Sequence, residues 1–299
     1  MKLPTATTSD VPSEAGGEPH VAIAITNVDI ERHSFSSQDA VVESDVVSQE
    51  VPIALVFNGI SHAVMMASPI DLEDFAYGFA LSENIVDSLA QIYDMEVVQS
   101  AADEGGQAVG VEVHLQIAQA CFMRLKEKRR TLSGPTGCGL CGIESLQALD
   151  LTAGSCQSIP TTLTITKSVL QRAFAHINEK QVINAMTGSM HAAAWVDLQG
   201  DIVLLREDVG RHNALDKLIG AIAQRKALAD RAGFVIMSSR ASYELVQKCA
   251  RAGVSVLATV SAPTSLAISM ARDAGICLIG FVRRTGFVVY THPDRLIAE

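Results

Sequence analysis

The sequence has no hydrophobic run long enough to span a bilayer. Its longest stretch without a polar residue, Ala274 to Val282, is nine residues, against ~18 or more for a transmembrane helix. The N-terminus, Met-Lys-Leu-Pro followed by Thr, Ser, Asp and Glu, lacks the apolar core that a secretory signal needs. A cytoplasmic protein without membrane insertion is therefore expected. Bases are scarce: 23 Lys and Arg face 33 Asp and Glu, a balance with no general attraction for a phosphate backbone, so nucleic acid is not an expected partner. Six Cys in 299 residues are too few for a disulfide scaffold. The low share of charged residues, 19% against 48% hydrophobic, excludes a largely disordered chain.

What is present is unevenly distributed. Residues 1–50 hold nine acids against two bases, so most of the net charge of −10 sits there and the rest of the chain is nearly neutral. Residues 1–45, rich in Ser, Thr, Asp and Glu, read as an acidic mobile tail, part of which can pair as an edge strand. Val51 to Phe57 and Ile60 to Met66 flank Asn58-Gly59, a strong hairpin turn. Asp71 to Ile85 has helical spacing at Leu72, Phe75, Ala76, Phe79 and Ala80. Ile92 to Val98 and Ala108 to Ile117 predict a second hairpin. From about residue 160 helices and strands alternate: helices over 167–180, 212–225, 242–252 and 264–274, strands over 190–197, 201–207, 233–238, 254–260 and 276–282. Such alternation argues an α/β layer structure, and strands apolar on both faces, such as Phe234 to Met237, argue helices on both sides of the sheet. The chain divides into the tail (1–45), a smaller α+β domain (46–159) and an α/β domain (160–299).

Two places carry the chemistry. Cys138 and Cys141 form a Cys-x-x-Cys within Thr136-Gly-Cys-Gly-Leu-Cys-Gly142, where glycines forbid a long regular element. Five bases precede it within seven residues: Arg124, Lys126, Lys128, Arg129 and Arg130. A thiol is a nucleophile only as thiolate, and exposure beside positive charge favours that form. The residues alone leave open sulfur or redox chemistry, half of a metal site, or a bland loop; no second Cys-x-x-Cys completes a four-thiolate zinc site. The basic run reads either as a docking face for an acidic partner or anionic ligand, or as a solvated face. The second place is Leu205 to Asp216, where Arg206, Asp208, Arg211, His212 and Asn213 cluster where a strand gives way through Gly210 to a helix. Strand ends followed by helix N-termini are anion sites in α/β sheets; the plain alternative is a capped, salt-bridged turn. Met186 to His191, Ser238 to Ser242 and the Arg283-Arg284 pair offer further hydroxyls and bases at strand ends. His62 and His176 read as structural.

Ile60-Ser-His-Ala-Val-Met-Met-Ala67, Asp71-Leu-Glu-Asp-Phe-Ala76, the Cys138 loop, Glu207-Asp-Val-Gly-Arg-His-Asn-Ala-Leu-Asp-Lys217, Ser239-Arg240 and Ser261-Ala-Pro-Thr264 together resemble the FdhD family of formate dehydrogenase accessory proteins, from about residue 50 to the C-terminus. The resemblance implies a cytidine-deaminase-like three-layer domain over 160–299 beside the smaller α+β domain. It also implies a sulfurtransferase that takes persulfide sulfur from a cysteine desulfurase and delivers it to the molybdenum bis(molybdopterin guanine dinucleotide) cofactor of formate dehydrogenase. Cys138 then corresponds to the persulfide-bearing cysteine and Cys141 to its partner, with no intrinsic metal. Phe281, Val282, Arg283, Arg284, Thr285 and Gly286 correspond to the cofactor-binding segment, GDP serves as a mimic of the cofactor, and the apolar strands suit a homodimer. A zinc deaminase needs a His-x-Glu, yet none of the eight His is followed two residues later by Glu, and the expected position reads His212-Asn213-Ala214. A redox or cofactor-binding chaperone is the other reading.

Overall fold

The computed structural model describes residues 21–36, 40–99, 110–130 and 163–298. Within the segment read as a tail, β1 (Ile25–Arg32) and β2 (Val41–Ser48) pair antiparallel along their whole length. The pairing expected of part of this segment is thus a two-stranded ribbon; none of its strand residues is buried, so it lacks the buried alternation by which a strand's bounds are read from sequence.

The smaller unit is a four-stranded sheet in the order β4-β3-β6-β5. β3 (Val51–Phe57) and β4 (Ile60–Ala67) form the expected hairpin. Its turn places Asn58 and Gly59 at φ +46 and +78, the positive-φ pair that a two-residue turn needs to match strand twist. β6 (Val111–Ile117) lies parallel to β3 and antiparallel to β5 (Ile92–Gln99). Ile53, Leu55, Phe57, Val113 and Leu115 face α1 (Leu72–Ser82) and α2 (Gln119–Arg130), which contribute Phe75, Phe79, Phe122 and Leu125 to one core.

The larger unit is a six-stranded sheet in the order β13-β12-β11-β10-β8-β9. β10 (Gly233–Met237), β11 (Val256–Thr259) and β12 (Cys277–Arg283) are parallel. β8 (His191–Asp197), β9 (Ile202–Asp208) and β13 (Gly286–Val289) are antiparallel to their neighbours. On one face lie α5 (Arg211–Gln224), followed by the short α6 (Lys226–Ala229), α7 (Tyr243–Arg251) and α8 (Ser265–Ala274); α5, α7 and α8 pack on Ala193, Val235, Met237, Leu257 and Leu278. The alternate residues Ala194, Phe234, Ile236, Ala258 and Ile279 face α3 (Lys167–Lys180). Three layers follow because the central strands are apolar on both sides. Hydroxyls cap two of these helices: Thr166 accepts from the Val169 amide and Thr264 from that of Ala267. The short parallel pair β7 (Ile165–Thr166) and β14 (Leu296–Ile297) ties the chain's end to the entry into this unit.

The two units are joined through backbone contact between α1 and α5. A Cβ placed on Gly78 would lie 1.7 Å from the Asp216 carbonyl oxygen, and one on Gly220 would lie 1.9 Å from that of Asp74. Around this crossing, Asp74 accepts from Arg206 Nε at 2.7 Å and Gln224 Nε2 at 2.6 Å. Ser82 donates to Asp216 at 2.6 Å. Lys248 bridges Asp216 at 2.9 Å and Glu83 at 2.6 Å, and these carboxylates raise its pKa to about 12 against the opposing effect of burial.

The crossing makes the sign of a mutation unusual. At an exposed helix position Gly→Ala stabilises by about 1 kcal/mol; here the new methyl meets backbone that cannot rotate away. Gly78→Ala is expected to destabilise by about 3 kcal/mol, lowering the melting temperature by roughly 6–12 °C for a chain of this size. Calorimetry of the variant checks this, and an unchanged or raised melting temperature would refute the close crossing.

Candidate functional site

At the carboxyl ends of β10 and β11 the chain opens a crevice of about 450 Å³, lined by His191, Arg211, Ser238, Ser239, Arg240, Ser261 and Ala262. Four elements build it. His191 begins β8, whose antiparallel pairing with β10 brings its first residues beside Ser238; the Ser238 hydroxyl accepts from the Ala192 amide at 2.8 Å. Arg211 opens α5, where the unsatisfied amides and the helix dipole favour an anion. Ser239 and Arg240 follow β10, and Ser261 and Ala262 follow β11, where the Ser261 amide donates to the Ser239 carbonyl at 3.3 Å. Phe281 flanks the crevice, its amide facing the Ser261 carbonyl at 3.4 Å.

The crevice is cationic and short of partners. Arg211 Nε is buried with no hydrogen-bond partner, and among the described residues no carboxylate forms a salt bridge with Arg211 or Arg240. Burial first, and then the nearby Arg240 guanidinium, lower the Arg211 pKa. The His191 imidazole is also held below its usual value, mainly by burial and secondarily by Arg211. Two like charges held together with no salt-bridged carboxylate, Glu244 acting on Arg211 only from a distance, and with serines in the same lining, suit an anionic ligand.

The profile of the FdhD/NarQ family matches residues 48–297. The chain belongs to the FdhD/NarQ family. It is 49% identical to the sulfur carrier protein FdhD of Bordetella petrii, over 86% of this chain and 88% of that protein. It is 50% identical to that of Chromobacterium violaceum, over 89% and 95% of the two, and 45% identical to that of Acinetobacter baylyi, over 96% and 98%. Its fold matches a crystal structure described as a formate dehydrogenase accessory protein from Desulfotalea psychrophila, with a TM-score of 0.66 at 18% identity, over 92% of this chain and all of that one.

In this FdhD/NarQ chain the sequence-derived candidates separate. Cys138 and Cys141 lie outside the described residues, as do the side chains of Lys128, Arg129 and Arg130. Arg124 is committed to Asp87 and the Ile85 carbonyl, and Lys126 lies over the Phe122 ring. Arg211 reaches the crevice, but most of its motif faces inward. Arg206 pairs with Asp74 and Asp71 at the joint between units. Asp208 is fully buried, 2.7 Å from Lys217, and also accepts from the Ser68 and Gly210 amides. Asn213 is buried and donates to the Met66 carbonyl and to Asp208. His212 is held by Glu244 at 2.8 Å, beside Ser242, and that bond is the main reason the Glu244 pKa is lowered. In this structure the side chains of Arg206, Asp208, His212 and Asn213 are all engaged within the protein; Arg206, Asp208 and Asn213 lie at a strand-to-helix junction packed against the smaller unit, where buried charges need internal partners.

Within Phe281 to Gly286, Val282 belongs to the core on the α3 face. Phe281 is exposed at φ +53, uncommon for a bulky residue, and Arg283 sits over its ring. Arg284 and Thr285 form the turn into Gly286 and β13. His62 packs between the Phe57 and Phe79 rings, and the exposed His176 pairs with Glu179. His191, Ser239, Arg240 and Ser261 were visible in sequence only as separate strand ends; their meeting depends on the strand order. Among the described residues no group of three or more His, Cys, Asp or Glu could hold a metal ion, and no helix is long and apolar enough to cross a membrane.

Proposed function

We propose that the protein is a sulfurtransferase that carries sulfane sulfur as a persulfide on Cys138, from a cysteine desulfurase to the molybdenum bis(molybdopterin guanine dinucleotide) cofactor of formate dehydrogenase, working as a cytoplasmic homodimer. In loading, the Cys138 thiolate attacks the outer sulfur of the donor persulfide. A new S–S bond forms, the donor's S–S bond breaks, and the donor leaves as thiolate with no net redox change. Membership in a family whose relatives are named sulfur carriers supports the carrier role. The observation that carries the choice of substrate is the cationic crevice, with its unpartnered Arg211 Nε and flanking Arg240. Its chemistry fits a pyrophosphate: guanidinium forks bind phosphate oxygens in pairs, and serine hydroxyls complete the shell. Phe281 at the rim offers a ring on which a base can stack.

Two measurements test this. After incubation with a cysteine desulfurase and cysteine, the intact mass should rise by one sulfur atom, about 32 Da. GDP should bind, and the Arg211→Ala/Arg240→Ala variant should weaken it by on the order of 1.5–3 kcal/mol, roughly 10- to 150-fold in Kd, with the difference shrinking in high salt. No added sulfur would sink the carrier reading. Unchanged GDP affinity in the double variant would move the substrate site out of the crevice.

A further inference from the structure

Resting on that reading of the crevice, we propose that His191 contacts the bound pyrophosphate and takes up a proton from solvent as the nucleotide binds, so that affinity for the substrate is set by pH. Nothing in the sulfur-carrier role requires this; it follows from what surrounds the imidazole. The charged and titratable groups facing it come from three elements. Asp208 ends β9, Arg211 and His212 begin α5, and Arg240 follows β10; Glu244, in the first turn of α7, stands behind His212 and Arg211. Asp208 is already matched by Lys217 and Glu244 by His212. What remains beside His191 without a salt-bridged carboxylate, among the described residues, is positive: Arg211, which Glu244 offsets only from a distance, and Arg240. Half-buried beside these cations, the imidazole of the free protein is biased toward its neutral form.

An anion seated between the two guanidiniums reverses that field. The imidazolium gains an opposite charge at contact distance, so the pKa of His191 is higher in the complex than in the free protein. The sign of the linkage follows. Below the free pKa the imidazole is charged in both states and affinity is flat. Between the free and bound values, binding takes up a proton and affinity falls as pH rises. Above the bound value, affinity is flat again at its lower level. The ceiling is tenfold per pH unit, because one proton is involved.

The probe should not titrate itself, which excludes GDP with its terminal phosphate. Diguanosine 5′,5′-pyrophosphate carries one fixed charge on each phosphate between about pH 5.5 and 8, so any proton exchanged belongs to the protein. Calorimetry at ~pH 7 in two buffers of different ionisation enthalpy should report uptake of a fraction of a proton. The association constant should fall about three- to tenfold per pH unit within the window. His191→Gln should abolish both the uptake and the slope, and His212→Gln should keep both. The His191 C2–H resonance of the wild-type protein, titrated with and without the nucleotide, should show the same upward shift and needs no variant. If the wild type binds the probe and Arg240→Ala weakens it, but no proton is exchanged or His191→Gln keeps the slope, the proton linkage is wrong while the nucleotide site stands. If the wild type does not bind the probe, both readings fall.

Discussion

Replacing Cys138 with alanine is expected to reduce persulfide loading by more than about 100-fold while leaving the melting temperature unchanged. The size of the loss comes from the lack of substitutes among the other thiols. Cys121, Cys249 and Cys277 are buried, and burial pushes Cys249 and Cys277 up to about 12. At neutral pH both are held as thiols rather than thiolates, in side chains a partner protein cannot reach. Any residual loading would therefore have to come from Cys141 or Cys156. Cys141→Ala should be milder, since a neighbouring thiol assists transfer or resolves the persulfide as a disulfide without itself receiving sulfur. The fold should survive because the substitution falls in a glycine-rich segment. Intact-mass measurement on both single variants and on the double variant separates the roles, and brief iodoacetamide labelling of the native protein should leave Cys121, Cys249 and Cys277 unmodified. Normal persulfide yield on the Cys138→Ala protein would remove that residue from the mechanism.

The layered half of the chain was legible because its signals are local. Strands such as Phe234 to Met237 are apolar on both faces, and helical and strand periods alternate along the chain from about residue 160. The Asn58-Gly59 hairpin was equally plain, since only a positive-φ pair makes that turn. The site was legible only in part. Arg211, Ser239 and Arg240 stood out as polar residues at strand ends, but nothing local says that β8 runs antiparallel beside β10 and so carries His191 to Ser238. The motif from Glu207 to Lys217 is ambiguous in sequence for a related reason. A dense polar cluster after a strand looks the same in sequence whether it faces a ligand or a second structural unit, and here most of it faces α1 and Ser68. Glu207 shows this well: it accepts the Ile183 and Asn184 amides and so caps α4 (Val182–Thr187), a helix too short to announce itself.

That inward-facing cluster carries the other large effect. Lys217 and Asp208 are both fully buried, 2.7 Å apart. The lysine also donates to the Ser68 carbonyl at 3.1 Å, and the carboxylate accepts from the Ser68, Gly210 and Asn213 nitrogens. Lys217→Met leaves the carboxylate in the interior without its cation, which typically costs about 3–5 kcal/mol. Replacing both partners, as Asp208→Asn/Lys217→Met, removes the stranded charge, so the double variant should lose at least about 2 kcal/mol less than the sum of the single variants. Denaturant melts of the four proteins close this cycle, and additivity would mean that the pair is not coupled as its geometry implies. The same variants test the link from joint to site. Asp208 holds the Gly210 amide immediately before Arg211, so loosening it frees the turn that aims Arg211 into the crevice. A Lys217→Met protein assayed well below its melting temperature should therefore bind GDP more weakly than wild type, although residue 217 is absent from the crevice lining. Wild-type affinity in a destabilised but folded variant would show that the buried pair serves the joint between units alone.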